Sequence, residues 1–158
     1  MAQIISNTIQ FHIAAYSEID KEFKFLIIQR ASDLLIYPNV WQVITGTLEE
    51  GETAVHCALR EVKEEIGLNV SDAKLFTLPY ITKFFVPKKD YISLAPVFGA
   101  IIDINFEIIL SVEHQAYKWV SAEEFDSMII LPSHREANII FIDTILNSTN
   151  PSLFELKI

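Results

Sequence analysis

The chain has 158 residues with 51% hydrophobic content, enough for one domain, 1–158, that buries its core without disulfides or a partner. Twelve Lys and Arg against 21 Asp and Glu leave a net charge of −9, a field that repels DNA, RNA and acidic membrane surfaces, so any phosphate ligand must be met by a local device. Cys57 is the only cysteine, which excludes an internal disulfide and a cysteine-based zinc site and points to a reducing compartment. The N-terminus lacks the pattern of a signal peptide, and the longest apolar run, Ser93 to Ile102, stops at Asp103, well short of the ~18 residues a membrane span needs. A cytoplasmic protein with no membrane and no nucleic-acid polymer as partner is expected.

In chain order, Thr8 to Tyr16 and Lys24 to Arg30 are rich in Ile, Phe and Leu and predict two strands, with a hairpin turn at the polar break Ser17, Glu18, Asp20 and Lys21. Gln42 to Thr45 predicts a short strand. Thr53 is placed to cap a helix over Ala54 to Glu65, and Gly67 to end it in a left-handed turn. Ala73 to Thr82 and Tyr91 to Ile102 predict strands joined by a turn at Pro87-Lys88-Lys89-Asp90, and Gln115 to Val120 predicts another. Ser121 with Glu124, and Ser133 with Glu136, match the capping box that opens a helix. The second predicts a helix from His134 to Leu146, with Ala137, Ile140, Phe141 and Ile145 toward the core. The tail Asn147 to Ile158, polar and then apolar, is assigned no element. Strands interleaved with helices predict an α/β fold: a mixed sheet with helices on its faces.

The segment Gly46-Thr47-Leu48-Glu49-Glu50-Gly51-Glu52-Thr53 is acidic and glycine-punctuated, holding two of the four glycines. In the helix after it, Val55, Ala58, Leu59, Val62 and Ile66 form the apolar stripe at 100° per residue, and Glu61, Glu64 and Glu65 gather on its flank. At ~6 Å and an effective dielectric of about 20, each carboxylate pair repels by roughly 3 kcal/mol, so the cluster favours a cation. A solvated acidic face is the competing explanation; the cluster borders the buried stripe, and the glycine loop can bring backbone carbonyls to the same place. Oxygen donors without a usable Cys or His spacing select Mg²⁺, or Mn²⁺ as a stand-in. Hard cations imply phosphate chemistry.

Gly46, five residues, Glu52, seven residues, then Arg60-Glu61-Val62-Lys63-Glu64-Glu65-Ile66-Gly67-Leu68 resembles a complete Nudix box. The resemblance implies the Nudix fold, an α/β/α sandwich with a mixed sheet, and hydrolysis of a nucleoside diphosphate linkage with divalent metal. By position it implies that Glu61, Glu64 and Glu65 bind metal, with the carbonyl of Thr45 or Gly46 completing the shell. Glu61 or a nearby carboxylate would help to activate water, and Glu52 and Arg60 would form a supporting ion pair. Trp41-Gln42, Thr45-Gly46, Glu49 to Thr53, Glu113-His114 and Ala116-Tyr117-Lys118-Trp119 further resemble bacterial dihydroneopterin triphosphate pyrophosphatases, and that resemblance adds Glu113 as an extra ligand or general base.

Arg30, Lys83 and Lys118 are the basic side chains expected to contact phosphate, and Trp41 and Tyr117 the aromatics that could stack on a heterocycle. Carboxylates one turn away would raise the Cys57 thiol pKa, and neither His114 nor His134 adjoins a nucleophile motif, so a cysteine or serine hydrolase is not expected. The expected substrate is a small nucleotide or pterin polyphosphate: dihydroneopterin triphosphate or a (d)NTP, with diadenosine polyphosphates and nucleotide sugars as alternatives. A nucleotide-binding sensor without hydrolysis is the competing class, disfavoured because every metal carboxylate is in place. A homodimer is left open.

Overall fold

In the computed structural model, which describes residues 1–158, the strands are β1 (Gln3–Ile5), β2 (Thr8–Ser17), β3 (Glu22–Arg30), β4 (Trp41–Gln42), β5 (Ile44–Thr47), β6 (Ala73–Val86), β7 (Tyr91–Ile102) and β8 (His114–Val120). The helices are α1 (Ala54–Ile66), α2 (Ala122–Met128) and α3 (Pro132–Phe141). All eight strands belong to one mixed sheet in which β7 runs parallel to β1 and β2 while the remaining pairings are antiparallel.

Alternation along the strands sends side chains to two cores. Ile9, Phe11, Ile13, Leu26 and Ile28 face α1, where they meet Cys57, Ala58, Val62 and Ile66. Ala14, Phe25 and Ile27 face the other way and pack with Phe125, Ala137, Phe141 and Ile145. The result is the α/β/α sandwich. On one edge of β2, residues Ala14 to Ser17 pair with β3, whereas Thr8 to Phe11 pair with β5. On the edge it shares with β2, the second half of β3 pairs instead with β4, while its other edge pairs with β8. This splay between β2 and β3 sets β5 and the start of α1 beside an opening in the sheet.

The structure departs from two local expectations. The strand expected over Gln42 to Thr45 is interrupted at buried Val43, because β4 pairs with β3 and β5 with β2. The capping box forms at Ser121 and Glu124, but not at Ser133. Pro132 takes the first helical position of α3, Leu131 stands at the N-cap without a side-chain bond, and the Glu136 carboxylate accepts from the Tyr80 hydroxyl at 2.7 Å. Pro is preorganised for the first turn and lacks the N–H that a cap would serve. The helix continues to Leu146, its end wound as a π-helix over Ile142–Leu146. In the tail, the Leu156 N–H donates to the Leu75 carbonyl at 2.8 Å.

Two histidines lie inside the sandwich. The His12 ring bridges Gln10 and Asn138, with its Nε2 3.1 Å from one amide and its Nδ1 3.3 Å from the other. Burial, reinforced by nearby His134, pushes His12 down to about 3, and burial alone pushes His134 down to about 4. The folded protein therefore rejects protons that the unfolded chain accepts near pH 6.5, so stability is complete above that pH and falls as pH drops toward 4. Urea unfolding is expected to show a loss on the order of 2 kcal/mol for each histidine between pH 6.5 and 5, above the range where ordinary carboxylates titrate. A flat midpoint across that interval would contradict the assignment.

Candidate active site

α1 is delimited as its sequence dictates. The Thr53 side chain accepts from the His56 N–H at 3.2 Å, and Gly67, at φ +77°, turns its N–H back to the Lys63 carbonyl. Between these ends the acidic flank borders the core, so Glu61 and Glu65 are buried while Glu64 is exposed.

Arg60 organises this flank. Its Nε and Nη2 each donate to Glu52 at 2.9 Å, in a bidentate fork, and Nη2 also donates to the Thr47 carbonyl at 3.1 Å. Nη1 donates to Glu61 at 2.9 Å and to Glu64 at 3.1 Å. The guanidinium beside Glu52 holds that carboxyl down at about 2, and Arg60 in turn is raised above its ordinary value by Glu52. Glu61 is raised because burial outweighs the pull of Arg60, and Glu65 and Glu64 add repulsion. Burial and the negative charge of Glu52 and Glu61 push Cys57 up to about 12, which removes it as a nucleophile. Glu65 is held from the other side by His114 Nδ1 and by the Ser111 hydroxyl at 3.2 Å.

A cavity of about 940 Å³ opens on this flank. Its wall includes Thr45, Gly46, Arg60, Glu61, Glu64 and Glu65, together with Arg30, Lys83 and Glu113. The Arg30 Nε donates to the Ile36 carbonyl at 3.0 Å, which steadies its guanidinium. Glu113 is exposed, and its carbonyl accepts from the Ala31 N–H at 2.8 Å. Glu52 stands behind the wall, acting through Arg60. Trp41, Tyr117 and Lys118 are not on the wall: Trp41 packs on the second core, the Lys118 ammonium lies 5.2 Å above its ring, and Tyr117 is exposed. The structure adds Gln10, Gln42, Thr82, Phe84 and His134 to the wall. Of these, the sequence singles out only Gln42, within the second resemblance, and His134.

As the side chains stand, no three Asp, Glu, His or Cys groups converge on one point at ligand distance, because Arg60 and His114 each draw carboxylate oxygens toward themselves. The donor set still suits a hard divalent ion: the three α1 carboxylates are all oxygen donors, and all reach the cavity. Glu64, with 57% of its side chain exposed, is free to turn. A Cβ on Gly46 would lie 2.2 Å from the Glu61 Cγ, so only glycine lets β5 run against this carboxylate.

Comparison with known proteins places this geometry in a family. The model of the NUDIX domain matches residues 11–142. The dihydroneopterin triphosphate diphosphatase of Escherichia coli is 28% identical over 146 residues, covering 85% of this chain and 92% of that protein. The mouse bis(5'-nucleosyl)-tetraphosphatase [asymmetrical] is 37% identical over 106 residues, 64% of this chain and 66% of that protein. The solved structure of the E. coli dihydroneopterin triphosphate pyrophosphohydrolase superposes with a TM-score of 0.67 at 28% identity, covering 89% of this chain and 96% of that one. With the motif, the fold and these relatives in agreement, the chain belongs to the NUDIX domain family and is a Nudix hydrolase.

Proposed function

We propose that this chain hydrolyses a P–O–P bond in dihydroneopterin triphosphate or a (d)NTP, with Mg²⁺ as its metal. The observation that carries the reading is that the α1 carboxylates open into the same cavity as Arg30 and Lys83, so an anionic cluster and phosphate-seeking cations share one wall. Glu61, Glu64 and Glu65, with the carbonyl of Thr45 or Gly46, would hold the ion. When bound it neutralises phosphate oxygens and acidifies water.

The protein's own groups do the rest. Arg30 and Lys83 draw the phosphate chain against the wall and compensate charge on the departing phosphate. Glu113, an exposed carboxylate on the same wall, takes the proton of the attacking water as its oxygen bonds to phosphorus and the bridging P–O bond breaks. Arg60 fixes the glycine loop through the Thr47 carbonyl and Glu52, keeping β5 and α1 in register.

Dihydroneopterin triphosphate leads because the relative named for it is matched over most of both chains. A diadenosine polyphosphate is the second reading, favoured by the higher identity to the mouse relative over a shorter span. A panel of pterin and nucleoside triphosphates, dinucleoside polyphosphates and nucleotide sugars, read by product analysis, tests the proposal. Pyrophosphate or a phosphomonoester is expected in Mg²⁺ and neither in EDTA. Tight binding without turnover of any of these would leave a nucleotide sensor instead.

A further inference from the structure

A separate stretch of the cavity wall is the first turn of α3, from Leu131 to His134. His134 is only 4% exposed, yet its ring is not fully paired within the protein. The Val43 N–H donates to Nδ1 at 3.5 Å, and Nε2 has no protein partner. Because no fully enclosed side-chain polar atom lacks a partner, Nε2 is the ring atom not sealed off from solvent, and the wall on which His134 stands is that of the cavity. An Nδ1 that accepts is unprotonated, and a neutral imidazole then carries its proton on Nε2. Burial, which holds His134 at about 4, keeps the ring neutral at working pH. The same turn leaves a second donor: Leu131 offers no capping side chain, Pro132 has no N–H, and the Ser133 N–H finds no backbone acceptor.

A neutral donor is poorly suited to phosphate, for which Arg30 and Lys83 stand on the same wall, and well suited to a neutral acceptor. A carbonyl oxygen carries two lone pairs and can accept from both donors, whereas an amino group there would set donor against donor. Phe84, half exposed on the cavity, supplies an apolar surface for a planar ring.

We propose that His134 is a specificity-determining residue: its Nε2–H, with the Ser133 N–H, reads a carbonyl on the substrate's heterocycle, so that the enzyme takes polyphosphates of oxo-heterocycles, pterins and oxopurines, ahead of aminopurine ones. The proposal rests on the polyphosphate hydrolysis proposed above.

Inosine and adenosine triphosphates differ at this group, carbonyl against amino, and the test compares them. Wild type is expected to favour the inosine substrate in kcat/KM by about tenfold or more. His134→Leu should bring the two within about twofold, chiefly through KM, and His134→Gln, which keeps an N–H donor, should restore part of the preference. In parallel, imidazole ¹⁵N spectra of the metal-free full chain should show the Nε2–H tautomer, with a His134 shift on adding inosine monophosphate and none with adenosine monophosphate. A preference for the adenosine substrate, equal losses on both in His134→Leu, or an Nδ1–H tautomer would overturn the proposal. Absence of turnover on every triphosphate would instead defeat the reading it rests on, and the spectra would still decide the role of His134.

Discussion

Glu64→Gln is expected to lower turnover about 10³-fold, on the order of 4 kcal/mol of transition-state stabilisation, while leaving the fold as it is. Glu64 is the one member of the acidic flank with little structural duty. Its side chain is 57% exposed and its ion pair is with Arg60, at 3.1 Å one turn back, a pairing of the kind worth at most ~0.5 kcal/mol. Arg60 keeps Glu52 and Glu61 when that pair is lost. The amide is nearly isosteric but carries no charge, so the substitution removes one negative ligand from the cavity and little else. Thermal unfolding within about 2 °C of wild type, together with the kinetic loss, would separate ligand from scaffold. A variant that retained a tenth of the original rate with the same Mg²⁺ dependence would show that Glu64 is not a ligand.

The features of this site that could be read from the sequence are those set by neighbours three or four residues apart. Thr53, Gly67, the stripe from Val55 to Ile66 and the carboxylates beside it all follow from helical periodicity, and α1 forms between those limits. The strand pattern was legible for the same reason, since alternation separates Ile9, Phe11 and Ile13 from Gln10, His12 and Ala14. What escaped depends on residues distant in the chain. The splay of β2 from β3 is a matter of sheet pairing, and no local pattern says that Val43 lies between two strands with different partners. The Gln42 to His114 contact spans 72 positions and the His12 to Asn138 contact 126. Ser133 and Glu136 met a local rule and still formed no box, because Pro132 settled the start of α3 and Tyr80, 56 positions away from Glu136, claimed its carboxylate. His114, read as a residue without a nucleophile beside it, holds Glu65 through a contact that only the fold creates.

Arg60→Ala is expected to lower the urea midpoint of the protein in EDTA, because several acceptors lose their donor at once, and Mg²⁺ should recover more of that loss than it adds to wild type. Arg60 is 23% exposed and Glu52 12%, so their bidentate pair is partly screened from water, and deleting the guanidinium leaves Glu52, Glu61 and the Thr47 carbonyl without their donor. In the intact protein the same guanidinium competes with a cation for Glu61 and Glu64; without it the carboxylates repel one another unrelieved, and a divalent ion becomes the remaining source of positive charge. Anything that binds the folded state alone stabilises it in proportion to its affinity, so the variant's unfolding midpoint should climb with Mg²⁺ more steeply than that of wild type. Arg60→Lys restores a charge but not the fork, and should fall between the two in EDTA. Activity should stay low in both variants even with Mg²⁺, since the ion replaces charge but not the hold of Arg60 on the loop through Glu52 and Thr47. Parallel Mg²⁺ titrations for Arg60→Ala and wild type would place the cation away from Glu61 and Glu64.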